Sequence, residues 1–165
     1  MSADRKAPDR NLQRKSAARL YAVQALFQME AAGTPVDKVA REFETHRFGE
    51  VMDGDEMAEG HVDLFRKITL EAVNHQARID QMTDRALVAK WPIDRIDPTL
   101  RALFRAAGAE LVATDTPPRV VITEYVDIAE AFFPEGREKA FVNAVLDHMA
   151  REAKPQAFPG EPRRT

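Results

Sequence analysis

The chain has 165 residues, 44% of them hydrophobic and 31% charged, and no cysteine. This is globular composition, enough for one domain or two small bundles, and it excludes a disulfide scaffold, a cysteine zinc site and a thiol nucleophile. The formal net charge is −3, which as an average argues weakly against a nucleic-acid partner, and no apolar run approaches the ~18 residues of a membrane span.

The average conceals a split. The first 19 residues carry Arg5, Lys6, Arg10, Arg14, Lys15 and Arg19 against Asp4 and Asp9, a local charge of +4, and the remainder carries −7. A basic arm on an acidic body suggests a nucleic-acid partner, although a solvated tail has the same composition. The segment has no apolar core and does not read as a secretory signal. Twenty-six alanines against seven glycines favour helix throughout. Spacing predicts a first helix over residues 12–32, with Ala18, Tyr21, Ala22, Ala25, Leu26 and Met29 on one face. Gly33 ends it. Thr34 is expected as the next N-cap, Pro35 as the first helical position and Asp37 as the first-turn acid. That second helix buries Val36, Val39, Ala40 and Phe43 and ends near Phe48-Gly49.

Residues 49–60 read as an acidic loop that would repel phosphate. Helical spacing resumes over 62–88 through Val62, Phe65, Ile68, Ala72, Ile79, Met82 and Ala86, with Asn74-His75 as a candidate break and Trp91-Pro92 as its close. Asp97-Pro98 opens a helix carrying Leu100, Leu103, Phe104, Ala107, Leu111 and Val112, and Pro117-Pro118 stops it. Arg119-Val120-Val121-Ile122 is the one β-like run, read as an extended entry into a helix over 121–133 that buries Ile122, Tyr125, Val126, Ala129 and Phe132. A turn at Pro134-Glu135-Gly136 precedes a last helix with Phe141, Val142, Val145, Leu146 and Met149 facing in. The tail after Lys154, with Pro155, Pro159 and Pro162, is expected to fray. The expectation is an all-α fold of about seven helices.

Catalytic constellations are missing. His46, His61, His75 and His148 never pair at i, i+4, no Gly-x-Gly or Gly-x-Ser-x-Gly occurs, and serine stands only at Ser2 and Ser16. The sequence therefore reads as a binding protein without enzyme activity, metal or cofactor. The strongest signal is the cluster Arg14, Lys15 and Arg19. Arg14 or Lys15 to Arg19 is about one helical turn, so these side chains can line one rim toward the phosphates and base edges of a single strand. Base contact also needs a stacking or hydrogen-bonding surface. Phe141 and Asn143 could supply it if the last helix lies beside the first, and Phe141 fits the core equally well. Phe27, at the edge of the first apolar face, is either a core residue or a partner anchor.

The stretch Arg14-Lys15-Ser16-Ala17-Ala18-Arg19-Leu20-Tyr21-Ala22-Val23-Gln24-Ala25-Leu26-Phe27 resembles the opening of the NusB family of bacterial transcription antitermination factors. There an arginine-rich motif runs into Ala-x-Gln-Ala-Leu-Tyr. Ile122-Thr123-Glu124-Tyr125-Val126-Asp127-Ile128-Ala129 and Phe141-Val142-Asn143-Ala144-Val145-Leu146-Asp147 are similar to that family's Ile-Asn-Glu-x-Val-x-Ile-Ala and Phe-Val-Asn-Gly-Val-Leu-Asp. Trp91 to Arg95, Phe104 to Ala107 and Glu110-Leu111 fit its central helices, so the resemblance runs in order over about 12–150. The departures are Ser16 at a basic position, Leu20 for Glu, Phe27 for Tyr, Ala109 for Tyr, Thr123 for Asn and Ala144 for Gly.

The resemblance implies two small helical bundles, at about 14–89 and 90–153, forming one RNA-binding domain between a flexible arm (1–13) and a flexible tail (154–165). It implies binding of the boxA element of nascent ribosomal RNA together with NusE, a small-subunit ribosomal protein, in the elongating RNA polymerase complex in the cytoplasm. By position, RNA contact falls to Arg14, Lys15, Arg19, Phe141 and Asn143, and NusE contact to Phe27, Asp94 and Arg101. Two rival readings are a helical adaptor or homodimer without RNA, and a free-standing RNA-binding part of a ribosomal RNA methyltransferase.

Overall fold

The computed structural model describes residues 3–48, 59–87 and 96–160. Seven α-helices occur among them, and no strand: α1 (Ala3–Ala32), α2 (Val36–Phe43), α3 (Glu59–Asn74), α4 (Gln76–Ala86), α5 (Pro98–Ala113), α6 (Pro118–Phe132) and α7 (Arg137–Ala153). A π-helical turn, Glu44–Phe48, extends α2, and a 3-10 turn, Pro155–Ala157, follows α7. The acidic run at 49–58 and the Trp91-Pro92 stop lie outside the described residues.

Small residues set how α1 packs. Ala18, Ala22, Val23, Ala25 and Leu26 are buried, which lets α1 lie close against α3 and α5. Its start differs from expectation: the helix begins at Ala3, so the stretch read as an arm continues α1. Gly33 then adopts φ 65°, a left-handed C-cap, and the Thr34 N–H donates to the Met29 carbonyl at 3.2 Å. The expected cap of α2 is displaced by one residue. Pro35 holds the N-cap position, no side chain caps the helix, and its carbonyl accepts from the N–H groups of Lys38 and Val39.

The break at Asn74-His75 separates α3 from α4 as the spacing indicated. Asp97 caps α5, its carboxylate accepting from the Thr99 N–H at 2.7 Å, with Pro98 in the first turn. Helix α5 is buried on nearly all sides, from Leu100 to Leu111. It packs on α1, α3 and α4 and also on α6 and α7, so the two halves share one apolar core through it. At Gly108 an added Cβ would lie 2.4 Å from Ile79 Cγ2, which is why α4 can cross so close.

Two C-terminal expectations are corrected. Residues 119–122 are helical, because Pro118 suits a first turn and Val121 and Tyr125 recur at helical spacing into the core. The tail is docked as far as Phe158, which is 7% exposed. The Arg151 guanidinium lies 4.5 Å from its ring centroid and that of Arg119 5.8 Å. Lys154 Nζ donates to the carbonyls of Thr114 (2.6 Å) and Thr116 (3.3 Å). Burying a Phe is worth roughly 1.5–3 kcal/mol, and it acts with the Lys154 hydrogen bonds to hold the segment. No helix among the described residues is long and apolar enough to cross a membrane.

Candidate RNA and partner interfaces

Helical geometry separates the three motif cations. Lys15 points to solvent and Arg14 is half-buried. Arg19 stands one turn before the fully buried Val23, on the core-facing stripe, and is only 4% exposed. It faces inward rather than joining the other two on a rim. Its Nε and Nη2 donate to Glu110 Oε1 and Oε2 at 2.6 and 2.9 Å, and its Nη1 donates to Glu124 Oε1 at 3.0 Å. The Tyr125 hydroxyl donates to Glu110 Oε1 at 2.9 Å, and the Ser16 hydroxyl to Glu124 Oε1 at 2.5 Å. These five side chains join α1, α5 and α6.

Burial opposes the Arg19 charge, but the hydrogen bond and field of Glu110 outweigh it, and its pKa is raised. Burial, then the Glu110 anion, pushes the Tyr125 hydroxyl well above 10, so it stays a neutral donor. The cluster is a charge-satisfied clamp and not an acid–base pair. The departure at Ser16 is absorbed here, since the hydroxyl belongs to the clamp.

Helix α7 makes its principal contacts with α6, α4 and α5, and α6 is the helix that adjoins α1 at this end. Phe141 is half-buried, its ring in an edge contact with Phe104 at 6.2 Å and 62°. Asn143 is exposed on the same helix. Phe104 lies between Arg101 and Arg105, which pair with Glu30 near the C-terminal end of α1. Phe141 and Asn143 therefore sit toward the groove end of the molecule and not beside Arg14 and Lys15, and the condition set on them, α7 beside α1, is not met there.

The other end of α1 forms a groove. Phe27 is 38% exposed and lines a cavity of about 510 Å³ with Val23, Gln24, Phe43, Thr99 and Phe132. Arg101 stands close by, its Nε and Nη2 on Glu30 Oε1 and Oε2 at 2.7 and 2.6 Å. Arg105 bridges Glu30 and Asp80. The hydrogen bond from Arg101, followed by its field and the Arg105 contacts, holds the Glu30 carboxyl below its ordinary value. Phe27 and Arg101 thus flank one region, while Asp94 lies outside the described residues.

Sequence reasoning missed Glu110 and Glu124 as partners of Arg19. A signal was present: Glu110 interrupts the apolar run from Ala106 to Val112, and Arg19 interrupts the apolar stripe of α1. No group of three or more potential metal ligands occurs among the described residues.

The NusB family model matches residues 16–151. The chain is 44% identical over 159 residues to the transcription antitermination protein NusB of Maricaulis maris, covering 95% of this chain and 99% of that one. It is 45% identical over 144 residues to that of Caulobacter vibrioides, covering 87% and 96%. The solved structure of T. maritima NusB matches with a TM-score of 0.66 at 27% identity, over 87% of this chain and 96% of that one. A crystal structure of antitermination factors NusB and NusE in complex with double-stranded RNA shares the fold, with a TM-score of 0.69 at 21% identity over 85% and 98%. The matched region runs from the clamp residue Ser16 into the last turn of α7, and the chain belongs to the NusB family.

Proposed function

We propose that this chain is a transcription antitermination factor that binds the boxA element of nascent ribosomal RNA together with NusE, in the elongating RNA polymerase complex of the cytoplasm. The observation that carries the reading is the exposed and half-exposed pair Lys15 and Arg14, presented on a turn of α1 that the clamp fixes to α5 and α6. Lysine and arginine there neutralise phosphates, and affinity gained that way falls as salt rises. Arg19 serves as a positioning residue, since its guanidinium is spent on Glu110 and Glu124. Asn143 and the exposed part of Phe141 are assigned to a second stretch of RNA beyond α6. Phe27 and Arg101 are assigned to NusE, the ring seated in the groove and the guanidinium at its edge. No catalytic role is assigned to any residue.

A gel shift with boxA RNA, with and without NusE, at two salt concentrations tests this. The expected result is tighter binding by the pair than by either protein, weakened by salt. Binding indifferent to both NusE and salt would overturn the reading.

A further inference from the structure

Helices α1 and α6 run side by side in the same direction. Ser16 and Arg19 reach Glu124 at mid-helix, and Phe27 and Phe132 share the groove at the C-terminal ends. One turn before Ser16 is Leu12, and one turn before Glu124 is Val120. Helix register therefore brings two aliphatic side chains to the opening of the seam. Both stand in water, Leu12 at 60% exposure and Val120 at 41%.

Charge surrounds this apolar spot. Lys15 lies one turn after Leu12 on the same face of α1, whereas Arg14 points to another side. Exposed Arg119, its guanidinium over the Phe158 ring, precedes Val120 on α6. Glu124, the nearest acid along the seam among the described side chains, is already held by Ser16 and Arg19. Asp115 and Asp127 are exposed ahead of α6 and one turn beyond Thr123. A bare aliphatic pair between cations matches a single RNA strand, whose bases and riboses need an apolar surface while its phosphates need positive charge.

The geometry points to an RNA path that leaves α1 and crosses onto the first turn of α6. A base or ribose packs on Leu12 and Val120, and Arg119 takes a phosphate. This rests on the reading of Lys15 as an RNA contact and extends it to a helix that reading does not use.

Fluorescence anisotropy with labelled boxA RNA and saturating NusE, over a salt series, tests it. Arg119→Gln should weaken binding about 5-fold and reduce the slope of log affinity against log salt by about 0.7. Arg119→Lys should keep the slope while giving up the planar contact with Phe158. Leu12→Ser with Val120→Ser should weaken binding about 3- to 10-fold at every salt with the slope unchanged, because no charge is removed. Thermal melts by circular dichroism should show all of these variants folded, with the Arg119 variants lowered slightly by the lost contact with Phe158.

Lys15→Gln separates the outcomes. If it weakens RNA binding while Arg119→Gln and the double serine variant do not, the path across α6 is overturned and the α1 reading stands. If none of the variants changes RNA binding, both fall. If the double serine variant keeps RNA but loses NusE, the spot is a protein surface and the inference is overturned.

Discussion

Among the described residues, two ion-pair networks tie α1 to its neighbours, and they differ in depth. Midway along α1, Arg19, Glu110, Glu124, Tyr125 and Ser16 form a clamp in which Arg19 and Glu110 are shut away from water. At its C-terminal end, Glu30, Arg101, Arg105 and Asp80 tie α1 to α5 and α4 beside an open groove. Depth changes what an ion pair does. A buried one contributes little net stability over a well-packed apolar pair, yet is costly to break because the orphaned charge stays inside. A wet one is weaker and can be rearranged. The clamp thus behaves as a fixed frame under the RNA-facing turn, and the second network as an adjustable rim beside a partner groove.

The sharpest way to break this comparison is Arg19→Ala, which leaves Glu110 buried without its guanidinium. It should cost about 3–5 kcal/mol in urea unfolding, much of a typical domain's stability. Pairing Arg19→Met with Glu110→Leu should recover most of that loss, whereas a contact whose worth lay in attraction alone would stay lost. Arg105→Ala, in the shallower network, should cost less, about 1–3 kcal/mol, since Asp80 and Glu30 can turn to water. Tyr125→Phe should cost about 1 kcal/mol, because Glu110 keeps Arg19.

Glu30→Gln should have the smallest effect, and its pH dependence identifies it. The folded-state pKa of Glu30 lies below its ordinary 4.5, so its contribution is complete above that value and fades as pH falls through the lower folded one. The variant should be less stable than the unsubstituted chain at neutral pH, and the two should converge in acid. A gap that persists with Glu30 protonated would assign the effect to packing.

Periodicity made much of the fold legible. The buried face of α1, the break at Asn74-His75 and the cap at Asp97 all follow from local chemistry. Residues 119–122 misled because Val and Ile favour strands, and tertiary burial of Val121 overrode that preference. The docked Phe158 was illegible because its partners, Arg119 and Arg151, come from two different helices. The basic motif was legible as a cluster but not residue by residue. Lys15 and Arg19 look equivalent in composition, and their opposite fates depend on which side of α1 meets α5. Glu110 supplies that information from 91 residues away.

The docking of Phe158 has a practical consequence for labelling. A tag or dye attached just after it would emerge beside Arg119 and would itself compete for the surface being measured. The exposed turn at 134–136 lies past the far end of α6. That helix has 15 residues, so the turn is about 20 Å away along its axis. A reporter placed there leaves the first turn of α6 clear, and it stands close enough to Phe141 and Asn143 to report on RNA at those positions instead.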